Sequence, residues 1–138
     1  MKSRFLNYKS LNIDIATLLL RLIYGGLFVY HGFTKFIAYD QILPMFTDII
    51  GIGAKNSFNL VIFAELICGF LVAIGFLTRL AVIPIFITMI VAYFIAHAAH
   101  PFQQKELAFA YLTLSIVVFV LGSGKYSIDK LLTKENPY

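Results

Sequence analysis

Four stretches of this chain are long and apolar enough to cross a bilayer: Ile13 to His31, Phe58 to Leu77, Leu80 to Ala99 and Glu106 to Leu121. A hydrocarbon core of about 30 Å takes about 20 residues of helix. In lipid every backbone amide needs an internal partner, so runs of this length without period-two alternation are read as helices. Composition agrees, with 60% of the 138 residues hydrophobic and 13% charged at a mean hydropathy of +0.86, against roughly 25% charged in an ordinary soluble domain. A soluble enzyme, a disordered chain and a disulfide scaffold are thereby excluded. Cys68 is the one cysteine, so the chain has neither an internal disulfide nor a Cys-x-x-Cys redox pair, and Cys68 itself reads as inert packing.

The connections at Thr78-Arg79 and from His100 to Lys105 around Pro101 are short, which requires antiparallel neighbours. The expected fold is all-α, a four-transmembrane-helix up-down bundle, with residues 1–138 forming a single transmembrane domain. Pro84 is expected in the first turn of the third span, where a missing N–H costs little. The fourth span, counted from Glu106, is only about 22 Å long at ~1.5 Å per residue, so either the bilayer thins there or Glu106 lies at its edge. In the long connection Gly32 to Ser57, Ile42, Leu43, Phe46, Ile49 and Ile50 recur at helical spacing behind Asp40. This predicts a short amphipathic helix on the membrane surface, ended by Gly51-Ile52-Gly53.

Charge sets the expected orientation. Lys2, Arg4, Lys9, Arg79, Lys125, Lys130 and Lys134 fall on one face of such a bundle and Lys35, Lys55 and Lys105 on the other, with Arg21 inside the membrane. The positive-inside rule puts both termini in the cytoplasm. Lys2, Arg4 and Lys9 precede an apolar run as in a signal peptide, but no small-x-small cleavage pattern follows, so a retained first span is expected. The formal charge of +4 is spread along the chain without a basic stripe, which argues against nucleic acid as a partner. The tyrosines and phenylalanines mainly serve interfacial belts and helix packing.

The ionisable residues inside the membrane are the functional signal, because a charge at the centre of a spanning helix costs about 2.5–3.5 kcal/mol. Arg21, Tyr24, Gly25, Phe28, Gly32 and Lys35 share a face of the first span with His31 on its flank, and this face should point inward; snorkelling of Arg21 to the headgroups is the alternative. Glu65, Gly69, Val72, Phe76 and Arg79 are expected to share a face of the second. With the termini inside, His31, Lys35, Glu65, His97 and Glu106, from four helices, converge in the outer half. Three readings fit the cluster. His97 and His100 at i, i+3 with the carboxylates could hold a divalent metal, though the spacing is weak evidence. His and Glu could relay protons to a quinone head group in an apolar slot lined by Phe28, Tyr30, Tyr93 and Tyr111. A structural ion-pair network of Lys35 with Glu65 or Glu106 has equal weight.

Several segments together resemble the DoxX family of small four-helix membrane proteins. They are Arg21 to Gly25, His31-Gly32 with Lys35, Glu65-Leu66 with Gly69, and Gly75 to Leu80. His97, Glu106-Leu107-Ala108 and Gly122-Ser123-Gly124-Lys125-Tyr126-Ser127-Ile128-Asp129 complete the pattern. The resemblance runs from about Ile15 to Leu131, and Lys125 and Ile128 are mild variants of the family's ending. It implies a redox-linked membrane subunit, associated with other membrane or periplasmic redox proteins. No haem motif, flavin fingerprint or cysteine pair is present, so a bound quinone is the electron carrier the resemblance implies. On this reading Arg21, His31, Lys35, Glu65, His97 and Glu106 are the ligand-binding residues, and Arg79, Tyr126, Ser127 and Asp129 anchor the inner loop and the C-terminal tail. A non-enzymatic assembly or stabilising factor, or a homo-oligomer of that kind, is the alternative. A small-solute transporter fits less well, because the four-helix multidrug antiporters carry a carboxylate where this chain has Arg21.

Overall fold

A computed structural model describes residues 7–133, and among these every regular element is helical. Four long helices carry the bundle: α1 (Ile13–Ile37), α3 (Ala54–Ile74), α4 (Thr78–Ala96) and α5 (Phe102–Leu121). Two short ones, α2 (Tyr39–Ile42) and α6 (Ile128–Leu132), lie in the long connection and in the tail. Each long helix is apolar enough to cross a membrane, and the chain is an integral membrane protein. Helix α1 packs against α3 and α5, and α4 against α3 and α5, so sequence neighbours close the bundle. One end of the bundle, the termini end, gathers Ile13, the Gly75–Leu77 turn and the tail. The other, the loop end, gathers the residue 38–53 connection and the turn at 97–101. Lys2, Arg4 and Lys134 of the charge count lie outside the described residues.

Local chemistry sets the ends. The Asn12 side chain accepts from the Ile15 amide at 3.1 Å and so caps α1. That helix runs six residues past His31, to Ile37, and ends where the Ala38 amide returns to the Thr34 carbonyl. Helix α3 stops at Gly75, whose φ of +74° lets its amide reach Val72 at 3.1 Å while Phe76 reaches Leu71 at 2.9 Å, the paired bonds of a Schellman ending. Phe76 and Arg79 therefore do not continue the Glu65 face, because the helix has turned before them. Since α4 begins at Thr78, Pro84 sits inside it rather than in its first turn. Proline lacks the amide that would reach the Leu80 carbonyl, and the Thr88 hydroxyl donates to the carbonyl of Pro84 itself at 2.8 Å. Helix α5 starts at Phe102 behind Pro101 and has 20 residues, about 30 Å at ~1.5 Å per residue. Gln103 to Glu106 are thus its first turns, and the span is not short.

The expected amphipathic helix in the long connection is only a turn of α2 and a 3-10 turn at Leu43–Met45, and Asp40 lies inside α2 rather than capping it. Phe46 is already extended, with ψ of 123°. What organises the remainder is Asp48, whose carboxylate accepts from the Gly51, Ile52 and Gly53 amides at 3.0, 3.2 and 2.8 Å and from the Ser57 hydroxyl at 3.1 Å. A side chain that satisfies three successive amides offers the backbone an alternative to helix.

Without a hydrophobic driving force in lipid, helices associate through close packing of small residues. Glycines on α1 and α3 provide it: a Cβ on Gly25 would lie 2.6 Å from the Ala73 nitrogen and the Gly69 oxygen, and one on Gly32 would collide with the Leu66 backbone. The interior built around them is Tyr24, Phe28, Val72, Val82, Ile85 and Val118, each at most 1% exposed.

Candidate functional site

Arg21 is 1% exposed at the termini end of α1. It points inward, and its partners are backbone carbonyls: Nη1 donates to Ser123 and Nη2 to Tyr126 at 2.6 Å. The tail that supplies them is ordered by its own cap and tied to the turn between α3 and α4 through Asp129. Ser127 caps α6, accepting from the Lys130 amide at 3.2 Å and donating to the Gly124 carbonyl at 2.7 Å. The Asp129 carboxylate accepts from the Leu77 amide at 2.9 Å, and its own amide donates to Gly75 at 3.0 Å. Arg79 Nε donates to the Phe119 carbonyl at 3.1 Å. Arg21 and Lys35 are fourteen residues apart on one helix, about 21 Å at ~1.5 Å per residue. Arg21 therefore does not join the other five ligand-binding residues expected from the sequence.

Four of those five do come together at the loop end. His31 and Lys35 project from the last turns of α1, Glu65 from α3, and His97 follows α4. Lys35 Nζ and Glu65 Oε2 are 2.5 Å apart, with Glu65 almost wholly enclosed and the Lys35 side chain 30% exposed. The fifth residue, Glu106, is exposed on α5 and lines no cavity with the others. His31 Nε2 lies 3.5 Å from the Tyr111 hydroxyl. The buried Tyr24 hydroxyl pairs with Ser115 at 2.5 Å, and the rings of Tyr24, Phe28 and Tyr111 pack in a triangle, each touching the other two. Tyr30 is 63% exposed, and Tyr93 packs on Phe94 and Phe109 beneath Lys105. Of the expected aromatic slot, only Phe28 and Tyr111 line the space.

Two π-helical segments, which sequence periodicity cannot reveal, lie at this level. Phe63–Cys68 interrupts α3 and contains Glu65, and Ala92–Ala96 ends α4 one residue before His97. A π turn carries one more residue than an α turn and leaves carbonyls poorly satisfied, a cost usually found at functional sites. The Pro101 that stops α5 from joining α4 was the one sequence signal of irregular geometry nearby.

Around these side chains lie two cavities. The smaller, about 200 Å³, is lined by Phe28, His31, Lys35, Glu65, His97 and Tyr111, with Gln104 at its edge. The larger, about 370 Å³, lies under the connection that carries Phe46, Ile49 and Ile50. Lys35, Glu65, Met89, Ala92 and His97 belong to both walls. A third hollow of about 320 Å³ between α4 and α5 is aliphatic and aromatic except for Ser115, whose hydroxyl is already engaged by Tyr24 and the Tyr111 carbonyl.

For metal binding the geometry offers little. His97 and His100 do share a face, with Nδ1 atoms 2.9 Å apart, but no group of three or more His, Cys, Asp or Glu side chains among the described residues is placed to surround an ion. Cys68 is buried in the π segment of α3. Chemically, the smaller cavity presents two imidazoles, a cation, a carboxylate and a phenol to one space. That set can orient a polar group, stabilise negative charge and exchange protons.

The chain matches the family model DoxX over residues 16–98. It is 31% identical to an uncharacterized membrane protein of Mycobacterium tuberculosis, across 86% of this chain and 82% of that protein. It is 33% identical to the Bacillus subtilis protein named "Putative oxidoreductase CatD", across 89% of this chain and 91% of that protein. No solved structure matches it at comparable significance. The matched region holds most of α1, all of α3 and α4, and all four residues gathered at the loop end, and on the strength of that match this chain belongs to the DoxX family.

Proposed function

We propose that the protein is a redox-associated subunit of a bacterial-type inner membrane, with both termini cytoplasmic, whose loop-end cluster binds a small polar head group, first among them a quinone. The single observation that carries this is the gathering of His31, Lys35, Glu65, His97 and Tyr111 around one small cavity at the end of a membrane bundle. The name of the Bacillus subtilis relative supports the redox connection. Lys35, Lys55 and Lys105 on this end, against Arg79, Lys125 and Lys130 on the other, support the orientation together with Lys2, Arg4, Lys9 and Lys134 of the sequence count.

The donor set fits a quinone head. Phe28 and Tyr111 supply aromatic faces, His31 and His97 supply ring nitrogens for hydrogen bonds to carbonyl oxygens, and Lys35 supplies positive charge for a reduced, anionic form. A bound quinone would supply the two-electron, two-proton couple that these side chains lack. Glu65 holds the Lys35 ammonium in place, and His97 beside it passes protons toward the turn at His100. Binding of a quinol analogue to the purified protein tests the reading. Removing a hydrogen-bonding group from a buried polar site costs about 1–3 kcal/mol, so His97→Ala and Glu65→Gln should each weaken binding by about tenfold. Absence of binding, or affinities unchanged in both variants, would overturn it.

A second reading, an assembly or stabilising partner for other membrane proteins, is favoured by one feature. The Lys35–Glu65 pair is already closed at 2.5 Å, as a pair serving only to hold helices in register would be. A stoichiometric protein partner, captured with no small molecule attached, would favour it.

A further inference from the structure

The proposed head-group site occupies only the smaller cavity, and the larger one beside it is accounted for by nothing above. Five residues form a shared wall, and Met89 and Ala92 make its middle apolar. Beyond that wall the larger cavity is faced by Phe46, Ile49 and Ile50 from the connection, Leu60 and Val61 from α3, and Val91 from α4. Its volume, about 370 Å³, is in the range of small-molecule sites. The covering segment is held in an irregular shape by the four hydrogen bonds to Asp48, anchored on the first turns of α3 at Gly53 and Ser57. Its apolar side chains therefore turn toward the bundle without belonging to a helix.

We infer that the larger cavity receives the hydrocarbon chain of the ligand whose head group lies in the smaller one, so that the protein binds a lipid-borne amphiphile and discriminates on its tail. The inference rests on the head-group reading for the neighbouring cavity. Continuity argues for this occupant: Lys35, Glu65 and His97 line one rim of the apolar cavity and the heart of the polar one, and a molecule with a polar head and a flexible chain touches both at once. A chain moving from bilayer to protein gains little hydrophobic free energy, because lipid tails are as apolar as leucine. The selectivity must come from close contacts, which are lost when the cavity is filled by protein instead.

Menadione and phylloquinone, which share a naphthoquinone ring but differ in a phytyl chain, supply the test in lipid nanodiscs. Val61→Phe and Val91→Phe fill the larger cavity from positions that line it alone. Each should weaken phylloquinone by about tenfold and menadione by less than about twofold. Taking the ratio of variant to unmodified protein for each ligand removes the different partitioning of the two into lipid. Retained menadione affinity reports that the variants fold, and Ile49→Ser in the covering segment gives the same contrast without overpacking. Equal effects on both ligands, or no effect on either, would overturn the tail inference and leave the head-group reading standing. A phospholipid retained on the protein in native mass spectrometry and not displaced by phylloquinone would also overturn it. Failure of both quinones to bind the unmodified protein would overturn both readings.

Discussion

The two ends of the bundle each hold a cation, Arg21 buried and Lys35 partly so, and they treat it in opposite ways. At the termini end Arg21 is gripped by carbonyls of a tail that is itself fixed by Ser127 and Asp129. At the loop end Lys35 meets a single side chain, Glu65, with an imidazole on either flank and open volume beside it. Backbone carbonyls cannot move or change protonation, so a cation held by them is committed. A cation held by a carboxylate and near two histidines can exchange partners. Burial of charge in a membrane protein is therefore by itself an ambiguous signal, and the nature of the partner separates a fastening from a site.

Breaking the fastening should have the largest effect. Arg21→Ala leaves the partly buried Ser123 and Tyr126 carbonyls without their donors, at about 1–3 kcal/mol each. We expect loss of the folded protein in detergent by thermal scanning, and Arg21→Lys should not restore it, because an ammonium cannot reproduce the planar fork. If Arg21→Lys were as stable as the unmodified protein, the contrast between the ends would be wrong.

Gly32→Ala comes next. Its methyl group would collide with the Leu66 backbone and part α1 from α3 one turn below the Lys35–Glu65 pair. The expected cost is about 1–3 kcal/mol, with ligand affinity falling alongside stability. Glu65→Gln, by contrast, should divide the two readouts: a modest stability loss of about 1–2 kcal/mol for a partly exposed pair, but a clear loss of binding. A variant that lost stability without losing affinity would assign Glu65 to the scaffold.

The smallest effect concerns pH. Backbone hydrogen bonds, led by that from Gly53, hold the Asp48 carboxyl below its ordinary 3.8. A depressed folded pKa stabilises the connection fully above the ordinary value, and the contribution is lost as pH falls through the lower folded one. Protection of the Gly51 to Gly53 amides relative to intrinsic exchange should accordingly fall only below about pH 4, and Asp48→Asn should abolish that dependence.

Much of this architecture was legible in the residues. Runs of apolar sequence gave four helices, and counting along α1 put His31 and Lys35 at the end opposite Arg21. What escaped has physical causes. Face arithmetic at 100° per residue assumes unbroken α-helix, so it carried the Glu65 face through Gly75 to Arg79 and could not foresee the π turns. A helix was inferred for Ile42 to Ile50 from apolar spacing, while the competing bonds of Asp48 are an unmarked property of one acidic residue before two glycines. Glu106 was grouped with the site by depth alone, and depth does not say which way a side chain on α5 faces.

The π segments also bear on how such a chain changes over generations. A π turn is a helix with one surplus residue, and losing that residue would return the helix to regular pitch while leaving the turns on either side nearly in phase. Between Phe63 and Cys68, a one-codon deletion would thus keep the Gly69 packing face where it is and erase only the local bulge that presents Glu65. A change of length by one residue can therefore alter this site while the helix packing around it is kept.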